Sequence, residues 1–223
     1  MCRERGAGLQ AALNTVPGSA EISSFLDTVA QLKENGVLAV ILSDPGVISL
    51  VRREVPALQI TASVGLSTLN PSEAMFYREV GADAVVLPTA LAAGEIPAIK
   101  AESGIRVEVF VHCRPEILLQ GTCALSGYAR EGQGVPGRPQ LEGAGTLSSA
   151  KRTGRCHLVC RAIPLSRESH SIEGELASWI SAGVDAFKLQ GRELSPSRLF
   201  DLASRIRGKL DAAIAAVARQ NPA

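Results

Sequence analysis

Three stretches of the chain repeat one local pattern. They are Asn35-Gly36-Val37-Leu38-Ala39-Val40-Ile41-Leu42, Val80-Gly81-Ala82-Asp83-Ala84-Val85-Val86-Leu87 and Ala182-Gly183-Val184-Asp185-Ala186-Phe187-Lys188-Leu189. In each, a helical pattern ends at a glycine and a short apolar run follows. Glycine suits the residue just past a helix, where φ is positive. A short, nearly continuous apolar run fits a strand covered on both faces, as in a parallel sheet. Helix and strand in strict alternation predict a parallel α/β architecture.

The segments between the repeats agree with this. Ile22, Phe25, Leu26, Val29 and Leu32 form one apolar stripe at helical spacing. Asn70-Pro71-Ser72-Glu73 reads as a helix start, with a capping Asn, Pro in the first position and Glu three residues on. Ser195-Pro196 opens a last helix with Leu199, Leu202, Ile206, Leu210, Ile214 and Val217 on one side. Further strands are expected at residues 9–14, 58–64 and 106–111, which makes six or seven in all. A closed (β/α)₈ barrel has eight strands and typically about 250 residues. The expectation is therefore a single domain over residues 1–223, a TIM-like (β/α) barrel lacking its first βα unit. A doubly wound open sheet is the alternative, but no Gly-x-Gly-x-x-Gly turn follows the first strand. Residues 127–154 are rich in Gly and carry Pro136 and Pro139, so they read as an insertion into the alternating pattern.

Aromatic residues are only 4% of a chain that is 46% hydrophobic, so the core must be aliphatic. The net charge is +1, which gives no general pull on nucleic acid or membrane. Lys151, Arg152 and Arg155 form a local basic group that leaves RNA binding open. No apolar run is long enough to span a bilayer. The charged start, Met1-Cys2-Arg3-Glu4-Arg5, is followed by no apolar core of signal-peptide length, so a cytoplasmic protein is expected.

Cys2, Cys113, Cys123, Cys156 and Cys160 are an odd set for a disulfide framework. Cys156 and Cys160 are close in sequence, Cys123 stands before the Gly-rich stretch, and Cys113 follows an expected strand. Four thiolates would suit an iron–sulfur cluster or zinc. His112 and His157 adjoin two of the cysteines and could complete a mixed zinc site. The plain alternative is a set of buried reduced thiols.

In a barrel, the residues after each strand face the active-site mouth. These are Asn14, Asp44, Ser63, Pro88, His112 and the group Lys188, Gln190 and Arg192. Asp44, His112, Lys188 and Arg192 are the candidates for acid–base or anion-binding work. Asp44 also reads as a turn cap before Pro45-Gly46, and the basic pair as a salt-bridged or solvated loop. There is no Gly-x-Ser-x-Gly elbow, His-Glu-x-x-His or phosphate-cradling Gly-x-x-x-x-Gly-Lys.

The chain resembles the collagenase-like peptidase family U32. The resemblance runs from Ala11-Ala12-Leu13-Asn14-Thr15 through Ile41-Leu42-Ser43-Asp44-Pro45-Gly46 and Ile60-Thr61-Ala62-Ser63 to Gly81-Ala82-Asp83-Ala84-Val85-Val86-Leu87-Pro88. Its most specific parts are Glu108-Val109-Phe110-Val111-His112 and Gly121-Thr122-Cys123-Ala124-Leu125-Ser126. The pair Cys156 and Cys160, and Lys188-Leu189-Gln190-Gly191-Arg192, complete it.

The resemblance implies a [4Fe-4S] cluster on Cys123, Cys156 and Cys160, with Cys113, three residues from the family position, as the candidate fourth ligand, and oxygen-independent hydroxylation of a quinone precursor in ubiquinone biosynthesis or of an RNA base. It implies prephenate as a small anionic oxygen donor and a homologous chain as partner. The alternatives are a collagenase-like peptidase and a non-catalytic partner subunit. The chain departs from the family pattern at Glu116, where many members have Cys. It also departs at Leu87-Pro88-Thr89-Ala90-Leu91, which lacks an Arg and a Glu, and at Gln190 in place of Glu.

Overall fold

The computed structural model describes residues 3–113, 169–191 and 194–220. Cys2, Cys123, Cys156, Cys160, His157, Arg192, the Gly-rich stretch and the basic group at 151–155 lie outside the described residues. The described strands are β1 (Gln10–Leu13), β2 (Ala39–Leu42), β3 (Gln59–Ala62), β4 (Ala84–Val86), β5 (Arg106–Cys113), β6 (His170–Ser171) and β7 (Ala186–Leu189). The helices are α1 (Ile22–Glu34), α2 (Pro45–Glu54), α3 (Pro71–Glu79), α4 (Ile96–Ser103), α5 (Leu176–Ser181) and α6 (Pro196–Gln220). Strands β1 to β5 pair in chain order, all parallel, and β7 adds to β5 in parallel. Each pair from β1 to β5 is joined through one helix, as the alternating pattern predicts. The antiparallel β6, paired with the end of β5, was not foreseen. Its two residues carry too little periodicity to register as a strand.

The sheet has two differently made faces. Val40, Leu42, Ile60, Ala62, Val85, Val107 and Val109 pack with the helices in one aliphatic core. Val86, Phe110 and Cys113 form a separate cluster with Val64 on the other face, here called the inner face. Strand alternation accounts for this division.

The repeated glycines behave as the pattern predicts. Gly36, Gly81 and Gly183 all have positive φ, at 86°, 112° and 90°. At Gly81 a Cβ would also lie 2.8 Å from the Cβ and Cγ of Arg52. The aspartates that follow two of these glycines have a structural use that their spacing had not revealed. Asp83 Oδ2 accepts from the backbone N–H of Ile60 at 2.8 Å, and Asp185 Oδ2 accepts from that of Val107 at 2.7 Å. Each carboxylate thus ties the start of its own strand to the neighbouring strand. Each also meets a cation from a covering helix: Arg52 Nη2 at 2.6 Å for Asp83, Lys100 Nζ at 2.6 Å for Asp185. The first repeat has Leu38 at this position, and Leu38 is 47% exposed.

Arg52 goes further and fastens α2 to three backbone carbonyls. It donates to Gly81 O through Nε and Nη2, at 2.9 and 2.8 Å, and to Pro56 O and Leu58 O through Nη1, at 2.7 and 3.2 Å. Helix α6 is fastened through Glu173, just after β6. Its carboxylate, 11% exposed, meets Lys209 Nζ at 2.8 Å and Arg205 Nη2 at 3.2 Å. Burial would raise the Glu173 pKa. The Lys209 hydrogen bond and the charges of Arg205, Lys209 and His112 outweigh it and hold the carboxyl below its ordinary range.

Replacing Arg52 by Met should cost about 1–3 kcal/mol in urea unfolding, because it strips partly buried carbonyls of their donor. An unchanged midpoint would show that water replaces the guanidinium freely. For Glu173 the lowered pKa means that its stabilisation is present above the unfolded-state value and lost as pH falls through the folded one. Glu173→Gln should therefore be less stable than the parent by about 1 kcal/mol at pH 7, a figure discounted for the exposure of its partners. The difference should vanish in acid, below the ordinary carboxylate value of 4.5. Thermal melts of both proteins from pH 3 to 8 check this.

Candidate functional site

The parallel strands all point one way, so their C-terminal ends form one rim of the sheet. In barrel-like α/β folds this rim carries the chemistry. Here it is made from the ends of β2, β3, β5 and β7 and the connections that leave them.

Strand β5 sets the layout. Its pairing with β7 runs Glu108↔Ala186, Val109↔Phe187, Phe110↔Lys188 and then His112↔Leu189. Val111 is the extra residue of a β-bulge, and a bulge reverses which face the following side chains take. Simple alternation would put His112 on the inner face beside Phe110, and Cys113 among the helices. The register instead aligns His112 with Leu189, which packs in the helix-covered core. Cys113 turns to the inner face, where it packs with Phe110 and Val86 and is 2% exposed.

The expected grouping of His112 with Lys188 is therefore corrected. The two lie on opposite faces. His112 Nδ1 is 3.9 Å from Glu173 Oε1 and takes part in the anchoring of α6. Lys188 stays on the inner face. Its Nζ is 4.0 Å from Glu108 Oε2 and 5.6 Å from the centre of the Phe110 ring, a cation–π distance. Both residues are largely buried, Glu108 at 12% and Lys188 at 28% side-chain exposure.

Asp44 displays the capping geometry. Its Oδ1 accepts from the backbone N–H of Val47 at 2.8 Å and starts α2. Ser63 acts similarly, its Oγ accepting from Gly65 at 3.4 Å. Sequence reasoning missed three residues. Glu108 pairs with Lys188, and its place in a strand otherwise apolar inside was the available signal. Glu173 anchors α6, and His170 stands opposite Cys113 in the β5–β6 register. Neither had a local sequence signal. Burial lowers the pKa of His170; Glu175 opposes this, and His112 adds to it.

Cys113 is the one expected cluster ligand that lies among the described residues. It is 2% exposed and packs with Val86, Phe110 and Val64. The other three expected ligands lie outside the described residues. Among the described residues, no three His, Cys, Asp or Glu side chains are grouped to hold a metal ion. Nor is any helix among them long and apolar enough to cross a membrane.

The tRNA hydroxylation protein P of Escherichia coli (strain K12) is 33% identical over 117 residues, which is 52% of this chain and 26% of that protein. The 23S rRNA 5-hydroxycytidine C2501 synthase of the same organism is 27% identical over 210 residues, 94% of this chain and 31% of that one. The chain thus spans about a quarter to a third of the length of these two relatives. The structure of the U32 peptidase Mk0906 aligns with a TM-score of 0.47 and 20% identity, over 51% of this chain and 49% of that one. The model of peptidase family U32 matches residues 1–222, and the chain belongs to that family.

Proposed function

We propose that this chain takes part in oxygen-independent hydroxylation of an RNA base and that Cys113, Cys123, Cys156 and Cys160 hold a [4Fe-4S] cluster for it. The observation that carries the reading is the similarity to an rRNA hydroxycytidine synthase over 94% of the chain. The placement of Cys113 supports the cofactor. A buried thiol near the C-terminal end of β5, on the inner face, suits a ligand to a substrate-facing cluster. A quinone precursor remains the other substrate class consistent with a ring-hydroxylating site.

When bound, the cluster supplies one-electron redox or Lewis-acid chemistry. The chain's own residues do the rest. Val86, Phe110 and Val64 keep water from Cys113, which favours a stable cluster. Lys188 presents an ammonium group on the same face, held by Glu108 and lying over Phe110. It would attract the carboxylate of a small anionic oxygen donor such as prephenate, and Arg192 is the second cation of this reading. Phe110 offers an apolar floor for a ring.

A second reading has one observation in its favour. The register that places His170 opposite Cys113 is the neighbourhood a thiol peptidase would need. The adjacent His112 cannot serve, because the bulge sends it to the other face.

The decisive experiment is to express the chain in cells that lack endogenous hydroxylases of this family and to analyse digested tRNA and rRNA by mass spectrometry. A hydroxylated nucleoside should appear in anaerobic cultures and be lost with Cys113→Ala and Lys188→Met. No new nucleoside, together with gelatin cleavage that Cys113→Ala abolishes, would replace the hydroxylation reading by the peptidase one.

A further inference from the structure

Four cations repeat one task at the end of the sheet opposite the rim. Lys33, Arg52, Arg78 and Lys100 stand in the last turns of α1, α2, α3 and α4. Each reaches the turn between the next helix and its strand. Lys33 donates to Ala57 O at 3.1 Å, Arg52 to Gly81 O at 2.8 Å, Arg78 to Ser103 O at 2.5 Å and Lys100 to Asp185 Oδ2 at 2.6 Å. In two of these turns an aspartate stands two residues after a glycine and neutralises the cation: Asp83 for Arg52 and Asp185 for Lys100. In the turn that Arg78 reaches, the glycine is Gly104, with φ 63°, and the residue two positions on is Arg106. A second cation thus stands where the other two turns carry a carboxylate.

A cleft of about 350 Å³ opens at this turn, lined by Arg78, Gly104 and Ile105 on one side and Arg52, Gly81 and Asp83 on the other. Arg106 follows Ile105, and its Nε lies 3.5 Å from Asp83 O, so it stands at the edge of the same cleft. Its Nη2 donates to Gln59 Oε1 at 3.2 Å. Arg78 and Arg106 are both exposed. Among the described residues, neither has a carboxylate within ion-pair distance. Arg78 spends one N–H on Ser103 O, and its other N–H groups have no partner among the described residues. Arg52 is different, because its five N–H groups are all used, on Gly81 O, Pro56 O, Leu58 O and Asp83. Asp83 is the acidic residue of the lining, and Arg52 and the Ile60 N–H already hold its carboxylate. Three guanidinium groups against one carboxylate leave the cleft with a formal charge of +2.

We propose that this cleft binds a phosphate group of an RNA backbone, held by Arg78 and Arg106. A phosphate supplies the acceptor that the turn lacks in place of an aspartate, and guanidinium forks pair with its oxygens. The whole chain has a net charge of +1, so affinity for RNA has to come from local groups of cations, of which this pair is one. Strand β5 runs from Arg106 at this end to Cys113 at the other. Its length is about 23 Å at the usual rise of a strand, so an RNA with one base at the rim needs to extend only that far to place a phosphate here. The choice of RNA as the source of the phosphate rests on the proposed function; the unneutralised pair of arginines does not.

The test is fluorescence anisotropy of a labelled tRNA transcript titrated with the full chain, purified without oxygen, at several KCl concentrations. Arg78→Gln and Arg106→Gln should each weaken binding and reduce the slope of log affinity against log salt by about one, the value of one phosphate contact. Arg78→Lys should keep the parent slope. Arg207→Gln, which removes the same charge from a cation paired with Asp211 on α6, should also keep it. Arg106→Asp separates binding from folding. It installs the aspartate found at 83 and 185 opposite Arg78, so Tm should equal or exceed that of the parent while the slope falls by about two. Parent slopes in the arginine variants would overturn the proposal, as would an equal fall with Arg207→Gln or a drop in Tm that accounts for the weaker binding of Arg106→Asp. A parent that binds inorganic phosphate but no tRNA would overturn it too. Binding of tRNA that survives Arg106→Asp removes this inference and leaves the proposed function standing. Arginine-dependent binding in a chain that makes no hydroxylated nucleoside upholds the inference and removes the proposed function.

Discussion

One additional residue in β5 decides which side chains share the inner face. Without the bulge at Val111, alternation would bury Cys113 under the helices and turn His112 inward beside Lys188. With it, a thiol joins Phe110 and Val86, and an imidazole joins Glu173. The bulge is supported from both sides. The pairing of His112 with Leu189 continues the parallel ladder past the interruption, and β6 pairs with the last two residues of β5. The backbone N–H of Ile172 also donates to Val111 O at 3.1 Å. Helix α6 enters the same arrangement through Arg205, Lys209 and Glu173. Geometry at the rim is thus coupled to the docking of a helix on the opposite face.

The fold was legible because its signals are local. A glycine past α1, α3 and α5, a run of aliphatic residues after it, and a capping Asp44 or Asn70 each act within a few positions, and these fell where the pattern placed them. The last helix began at Pro196 as read, yet its stripe is only half used. Leu202 and Ile206 are buried, while Leu199 and Ile214 are 37% and 46% exposed. Periodicity shows which side of a helix is apolar, but not how far along that side a neighbour reaches.

The site was less legible because it depends on register and on distant pairs. The residue types were recognisable: His112, Lys188 and Cys113 were singled out, and all three lie at or near the rim. Their grouping was not recognisable, since a bulge leaves no mark in an apolar run such as Val109-Phe110-Val111. The partners were also hidden. Glu108 meets Lys188 across two strands, and Glu173 meets α6 over 36 residues of chain for Lys209. Asp83 and Asp185 show the converse. They stood in full view within the repeated pattern, and their use as clasps between strands emerged only from three dimensions.

In the proposed [4Fe-4S] site, Cys113 is a ligand because the bulge turns it to the inner face. The most direct measurement is the Mössbauer spectrum of the full chain, produced with isotopically enriched iron and kept anaerobic, beside that of Cys113→Ser. The signature of a [4Fe-4S] cluster is expected in the parent, and one distinct iron site or loss of the cluster in the variant. Identical spectra from the two proteins, or no bound iron in the parent, would contradict it.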